Sequence, residues 1–237
     1  MTATRPTPTR IGIYGGTFNP IHLGHLRAAE EVAEALDLDR VLFVPSAAPP
    51  HKPDATGDTI APAADRFAWV GLATQDNERF GVDDVEVARG GTSFLVDTLA
   101  ALHAKLGATS ELVFLVGSDA FAEMGTWREP RELFRMAHYA VIARPPLSGG
   151  DLTSWLPEVV RGDVEIAADG RSGRHRSAGT RLSLVEIAGL AVSSSEIRSR
   201  LRAGRSVRYL LPEPVRRAVL ASGAYTDARM RPGGRSA

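Results

Sequence analysis

Apolar and polar positions change period along this chain, and the changes mark out its elements. Short runs rich in Val, Ile, Leu, Phe and Tyr at 11–14, 41–44, 82–87, 112–116, 139–143 and 184–187 predict strands. Between several of them the spacing lengthens to that of a helix. Leu23, Leu26, Val32 and Leu36 mark a stripe over 23–36, a second helical pattern covers 65–74, and Leu95, Leu99, Leu102 and Leu106 mark one face over 93–106. Strands alternating with helices predict an α/β fold, a Rossmann-like doubly wound, mainly parallel sheet. Ile197 and Leu201 add a C-terminal helical portion. Sheets of this kind bind ligands beyond the C-terminal ends of their strands, so the turns there are where chemistry is expected.

Breaks in the rhythm set the boundaries. Residues 1–9, rich in Thr, Pro and Arg, read as a flexible N-terminus; 10–226 read as a single domain; 227–237 read as a flexible tail. Within the domain, 146–181 reads as a variable, solvated loop, because Ser148-Gly149-Gly150, Pro157 and the basic stretch Gly170 to Arg176 show little apolar periodicity.

Composition narrows the function classes. The 237 residues suffice for one substantial core. Lys plus Arg and Asp plus Glu are 28 each, so no basic field recruits nucleic acid, and any polyanion site must be local. Cysteine is absent, which removes disulfides, thiolate metal sites and cysteine nucleophiles. No metal-ligating cage stands out in the sequence. Neither a secretory pattern nor a bilayer-length apolar run is present, so the cytoplasm is the expected location and no membrane partner is expected. The oligomeric state stays open, a homo-oligomer included.

The first candidate constellation follows the first strand: Gly15-Gly16-Thr17-Phe18-Asn19-Pro20, then His22-Leu23-Gly24-His25. The glycines are read as permitting a sharp turn. Two histidines three residues apart in a first helical turn share a face near the unpaired N–H groups and positive end of the helix dipole, which suits a phosphate. Gly24 would keep that approach clear. A bare H-x-x-H is more often a cap and a packing residue; the preceding strand and glycine turn shift the balance toward the anion.

A second constellation is Val192-Ser193-Ser194-Ser195-Glu196-Ile197-Arg198. Ser193 and Glu196 have the spacing of a capping box, and this alone explains the segment as a helix start. Ser194 and Ser195 could also donate to phosphate oxygens, with Arg198 one turn on. Lys52, after Pro49-Pro50-His51, is either a solvated loop lysine or a cation for phosphate; Trp127 is a packing residue or a stacking surface; Asp119, near Gly117, is a helix cap or an acceptor for ribose hydroxyls.

Together these segments, with Val44-Pro45 through Lys52, Asp97-Thr98-Leu99, Gly117-Ser118-Asp119-Ala120, Thr126-Trp127 and Arg144-Pro145, resemble the nucleotidyltransferase superfamily that carries an H-x-G-H signature and a distal I-S-S-T-x-I-R signature. More narrowly the chain is similar to the bacterial nicotinate-mononucleotide adenylyltransferase family, from about 11 to about 225. The resemblance implies transfer of the adenylyl group of ATP to nicotinate mononucleotide, with release of pyrophosphate, in NAD biosynthesis. It implies Mg²⁺ carried mainly by the ATP phosphates. It gives His22, His25, Lys52 and Arg198 as catalytic residues. ATP would be held by Gly15, Gly16, Thr17, Phe18, His22, His25, Gly117, Asp119, Ser193, Ser194, Ser195 and Arg198. The mononucleotide would meet Asn19, Lys52, Ser93, Phe94, Leu95 and Trp127, the indole stacking on the pyridine ring. Three positions depart from the family pattern: Asn19 stands where aspartate is usual, Phe94 where tyrosine is, and Leu95 where threonine is. The last two leave the pyridine preference open. Adenylylation of nicotinamide mononucleotide or phosphopantetheine is the neighbouring alternative, and a non-catalytic nucleotide-binding regulator the alternative of another class. Four cationic or potentially cationic groups speak against mere sensing. The basic stretch near Arg174 has a second reading, a flap near the nucleotide phosphates.

Overall fold

In a computed structural model, which describes residues 9–48, 60–143 and 150–226, strands and helices alternate as the pattern requires. The order is β1 (Thr9–Gly16), α1 (Leu23–Ala35), β2 (Arg40–Pro45), α2 (Ala63–Thr74), β3 (Phe80–Val82), α3 (Val85–Arg89), α4 (Leu95–Leu106), β4 (Ser110–Gly117), α5 (Ser118–Glu123), α6 (Pro130–Met136), β5 (His138–Ala143), α7 (Leu152–Trp155), β6 (Val164–Ile166), β7 (Ser172–His175), β8 (Arg181–Glu186), α8 (Ser194–Arg202) and α9 (Glu213–Ser222). Single 3₁₀ turns occur at Met124–Thr126 and Glu158–Val160.

The strands form one sheet in the order β3-β2-β1-β4-β5-β8-β7-β6. The pairs β1–β4, β4–β5 and β5–β8 are parallel, and β8–β7 and β7–β6 antiparallel. This is the expected Rossmann-like α/β class. Continuous burial of Leu112 to Val116 and of Tyr139 to Ala143 reflects strands covered on both faces, which is why they read as unbroken apolar runs.

Contacts divide the chain into two units. The first comprises Met1–Gly15, Ala29–Leu42 and Phe94–Ala188; the second comprises Gly16–Ala28, Phe43–Ser93 and Gly189–Ala237. In the first, Phe121, Phe134 and Tyr139 form a ring cluster, and the buried Tyr139 hydroxyl donates to the Leu133 carbonyl at 2.7 Å. In the second, α2 packs on α9 and the rings of Trp69 and Tyr225 lie 6.0 Å apart.

Several elements differ from the pattern. The run 82–87 is a strand only to Val82, because the Asp83 carboxylate accepts the Val85 N–H at 3.0 Å and turns the chain into α3. Helix α4 starts at Leu95, not at 93, with Phe94 as its extended N-cap. In α1 the side chains of Ala28, Ala29, Val32 and Ala33 are fully buried, while Leu23 and Leu26, and Leu36 just beyond its end, are half-buried.

The expected loop at 146–181 is largely structured where it is described. Asp151 and Ser154 form a reciprocal capping box on α7, and Leu152, Leu156, Val160 and Val164 are all buried. The guanidinium groups of Arg171 and Arg176 meet Glu186 and Glu165 at 3.1 and 3.2 Å. These two arginines meet carboxylates of neighbouring strands.

Candidate active site

The turn after β1 is built differently from its sequence reading. Gly15 and Gly16 close β1 without a left-handed backbone, and the residue at positive φ is Phe18, at 47°. A Cβ on Gly16 would lie 3.1 Å from the Phe18 ring, so this glycine makes room for an aromatic side chain. Phe18, 3% exposed, packs edge-on against the His25 ring, with centroids 5.2 Å apart. It packs against the histidine from within the core.

The two imidazoles are stacked, with centroids 3.7 Å apart and planes 25° from parallel. His22 is 3% exposed and His25 half-buried. The backbone N–H of His22 donates to Nδ1 of His25 at 3.2 Å. An accepting Nδ1 carries no proton, so neutral His25 holds its hydrogen on Nε2 and is a donor there. The Leu23 N–H donates to the Leu210 carbonyl at 3.1 Å, and those of His25 and Leu26 to the His22 carbonyl at 2.9 and 3.4 Å. These backbone donors are engaged within the protein, which corrects the expectation that they face a phosphate. Gly24 also has another purpose: a Cβ there would stand 3.0 Å from His22 Nδ1 and 3.4 Å from the Val192 carbonyl.

That carbonyl leads into α8. Ser193 caps the helix, its hydroxyl accepting the Glu196 N–H at 3.1 Å, whereas the Glu196 carboxylate meets Arg200 Nε at 3.0 Å. Ser194 Oγ donates to the Pro20 carbonyl at 2.9 Å, a use other than the phosphate contact expected of it. Ser195 is exposed. Arg198, 8% exposed, donates from Nη1 to the Asn19 carbonyl at 2.8 Å, and its Nη2 lies 3.4 Å from Ser195 Oγ. The site chemistry of α8 is thus fastened to the turn after β1, within the second unit.

Asn19 is the knot. Its side-chain carbonyl accepts the Ala61 N–H at 3.0 Å and the Tyr225 hydroxyl. Burial pushes the Tyr225 phenol well above its ordinary range, so it stays a donor. An amide oxygen holding two buried donors is a structural fastening, a role the sequence reading of Asn19 as a mononucleotide contact did not include.

Arg66 was not singled out in the sequence, although it lies on the stripe that buries Trp69 and Val70. At 1% exposure it donates to the carbonyls of Ala61 (2.9 Å), Thr17 (2.6 Å), Ser46 (2.7 Å) and Ala47 (3.0 Å). Burial lowers its pKa, with Tyr225 and Glu86 acting against that shift. Ser93, expected at the mononucleotide, accepts the Ala47 N–H at 3.0 Å, and its N–H donates to the Ala48 carbonyl at 3.0 Å. Lys52, with Arg144 and Pro145, lies outside the described residues.

The first unit holds the remaining candidates. Gly117 ends β4 and Asp119 sits in the first turn of α5, both exposed. Trp127 ends the 3₁₀ turn, half-buried, with its ring edge-on to Phe114 at 6.5 Å. Phe94 and Leu95 open α4, also half-buried. Among the described residues no group of three or more His, Cys, Asp or Glu side chains could hold a metal ion, and no helix is long and apolar enough to cross a membrane.

The cytidylyltransferase-like family model matches residues 13–200. A relative from Geotalea uraniireducens named "Probable nicotinate-nucleotide adenylyltransferase" is 43% identical over 222 residues, 93% of this chain and all of its own length. One of the same name from Chromohalobacter salexigens is 43% identical over 225 residues, 95% of this chain and all of its own. The chain belongs to the nicotinate-nucleotide adenylyltransferases. A solved nicotinic acid mononucleotide adenylyltransferase from Plasmodium falciparum, complexed with NaAD, has the same fold at a TM-score of 0.66 and 16% identity, covering 92% of this chain and 97% of its own. Membership makes the chain a nucleotidyltransferase of NAD biosynthesis, and agrees with the resemblance carried by His22, Gly24 and His25.

Proposed function

We propose that the enzyme transfers the adenylyl group of ATP to nicotinate mononucleotide, giving nicotinate adenine dinucleotide and pyrophosphate. The observation that carries the assignment of roles is the stacked histidine pair with its donor at His25 Nε2, on a helix fastened to Arg198 through Asn19. His25 donates to the ATP phosphates, and His22 supports it from beneath. Arg198 supplies fixed positive charge toward the β- and γ-phosphates, and Ser195 a hydroxyl near it.

The nucleophile is a phosphate oxygen already anionic at neutral pH, so the protein supplies alignment and charge stabilisation rather than a strong base. A new P–O bond forms at the α-phosphorus as the bond to pyrophosphate breaks. The donors here are imidazole, guanidinium and hydroxyl, which address phosphate oxygens, so Mg²⁺ fits as an ion carried by the triphosphate rather than by a protein cage. When bound there it would share the charge of the departing pyrophosphate. Trp127 offers a flat face to the pyridine ring, and Phe94 and Leu95 belong to the same unit. Lys52 is assigned to the transition-state phosphate by family resemblance.

The test is pyrophosphate release from ATP and Mg²⁺ with nicotinate mononucleotide, nicotinamide mononucleotide and phosphopantetheine offered in parallel. Nicotinate mononucleotide is expected to give the largest kcat/KM. A preference for phosphopantetheine, or no turnover with any of the three, would sink the proposal.

A further inference from the structure

Tyr225, just past α9, belongs to a part of the second unit that holds none of the site's motifs, yet it reaches the turn after β1. It is 4% exposed, and its ring lies 6.0 Å from that of Trp69 on α2. Its hydroxyl donates to Asn19 Oδ1, across 206 positions of sequence. The same oxygen accepts the Ala61 N–H at 3.0 Å, and the Ala61 carbonyl is in turn held by Arg66 at 2.9 Å. The main-chain carbonyl of Asn19 receives Arg198 Nη1 at 2.8 Å, and that of Pro20 receives Ser194 Oγ at 2.9 Å. A guanidinium is a planar fork of fixed geometry, so the carbonyl that holds one of its donors also directs the others. That carbonyl belongs to the residue whose side chain Tyr225 holds. Burial raises the Tyr225 pKa against the pull of Arg198 and Arg66, and the hydroxyl stays protonated as a donor.

We propose that Tyr225 is a positioning residue for adenylyl transfer: through the side chain of Asn19 it sets the peptide on which Arg198 rests, and so aims the guanidinium at the triphosphate. This rests on the reading that Arg198 meets the β- and γ-phosphates of ATP. Tyr225 has no part in the bond-making step itself. A hydroxyl that only completed the packing behind α9 would affect every ligand alike. One that sets Arg198 bears on the phosphates, because the adenosine and pyridine portions are assigned to other residues. The departure from the family pattern at position 19 fits the same arrangement. An amide oxygen accepts both buried donors without the negative charge that would compete with phosphate for Arg198.

The experiment follows dinucleotide formation from ATP and nicotinate mononucleotide, with inorganic tripolyphosphate and adenosine as competing inhibitors. It compares the wild type with Tyr225→Phe, Arg198→Lys, their double variant, Trp69→Phe and Asn19→Asp, with a thermal melt of each. Tyr225→Phe keeps the ring against Trp69 and removes only the hydroxyl. Its inhibition constant for tripolyphosphate is expected to rise roughly three- to tenfold and its kcat to fall by a similar factor, the range for losing one hydrogen bond. The inhibition constant for adenosine and the KM for the mononucleotide should change by less than about twofold, since neither reports on Arg198. In the Arg198→Lys background the tyrosine substitution should add less than about twofold, because residues acting through one contact are not additive. Trp69→Phe, which loosens the packing and keeps the hydroxyl, should lower Tm without altering the ratio of the two inhibition constants. Asn19→Asp, which brings the competing charge, should weaken tripolyphosphate and spare adenosine. Equal changes for both inhibitors in Tyr225→Phe, or full additivity with Arg198→Lys, would overturn the inference. An unchanged tripolyphosphate constant in Arg198→Lys would remove the role of Arg198 and this inference with it, while wild-type turnover of nicotinate mononucleotide leaves the proposed reaction standing. A wild type inactive on that substrate would overturn the two together.

Discussion

The imidazoles of His22 and His25 have unequal tasks, although the sequence presents them as a pair. His22 is buried and carries the stack; His25 is half-buried, with its Nδ1 taken by the His22 N–H and its hydrogen at Nε2. Of the two, His25 is the more exposed ring, with its hydrogen placed at Nε2. Removing it in His25→Ala should lower kcat by about a hundredfold or more, the usual effect of deleting one preorganised contact to developing charge, while KM for the mononucleotide moves much less. Steady-state kinetics decide this, and an unaltered kcat would return His25 to packing. The motif was legible in the sequence; the division of labour was not. Which ring lies beneath depends on Phe18, Gly24 and the Val192 carbonyl, and residue 192 is far away along the chain.

At the scale of elements, α2 supplies the fastening of the second unit through one side chain. Arg66 gathers the carbonyls of Thr17, Ser46, Ala47 and Ala61, which lie after β1, after β2 and before α2 itself. Arg66→Met would leave these carbonyls without that donor in a buried place. A loss of roughly 2–4 kcal/mol is expected, since each buried unsatisfied group costs about 1–3 kcal/mol and relaxation recovers part. Arg66→Lys keeps the charge but not the fork, and should recover less than half. Denaturant midpoints of the two variants against the wild type check this; a stability equal to that of the wild type in Arg66→Met would show that the loops hold themselves. Helical periodicity located α2, but an arginine on its apolar stripe reads as an exception until its acceptors, up to 49 residues distant, are seen.

Over the whole molecule, His138 gives stability a pH dependence. It lies at the start of β5 with its Nδ1 accepting the Arg181 N–H at 2.8 Å and its Nε2 3.7 Å from Glu111. Burial lowers its pKa from the ordinary 6.5, Arg181 and Arg10 add to the shift, and Glu111 opposes it. A depressed histidine pKa means that the unfolded chain binds the proton first as pH falls. Stability contributed by the neutral ring is therefore intact above 6.5 and declines as pH falls from there toward the lower folded value. Thermal melts at pH 7 and pH 5 should show a larger drop in Tm for the wild type than for His138→Gln. Equal drops would remove His138 as the source.

The order of apolar runs and helical stripes determined the fold class, because a parallel sheet covered on both faces needs unbroken apolar strands separated by amphipathic helices. The H-x-G-H pair, the capping serine at 193 and the family were likewise local and legible. Tertiary structure alone decided the rest. It turned Asn19 into an acceptor for Ala61 and Tyr225, gave Ser194 to the Pro20 carbonyl, and built α7, β6 and β7 from a stretch whose turns hid the buried Leu152, Leu156, Val160 and Val164. Each of these depends on a partner distant in sequence or on a spacing broken by turns. Local periodicity carries no information about which distant donor will meet which acceptor, and burial makes that meeting energetically obligatory.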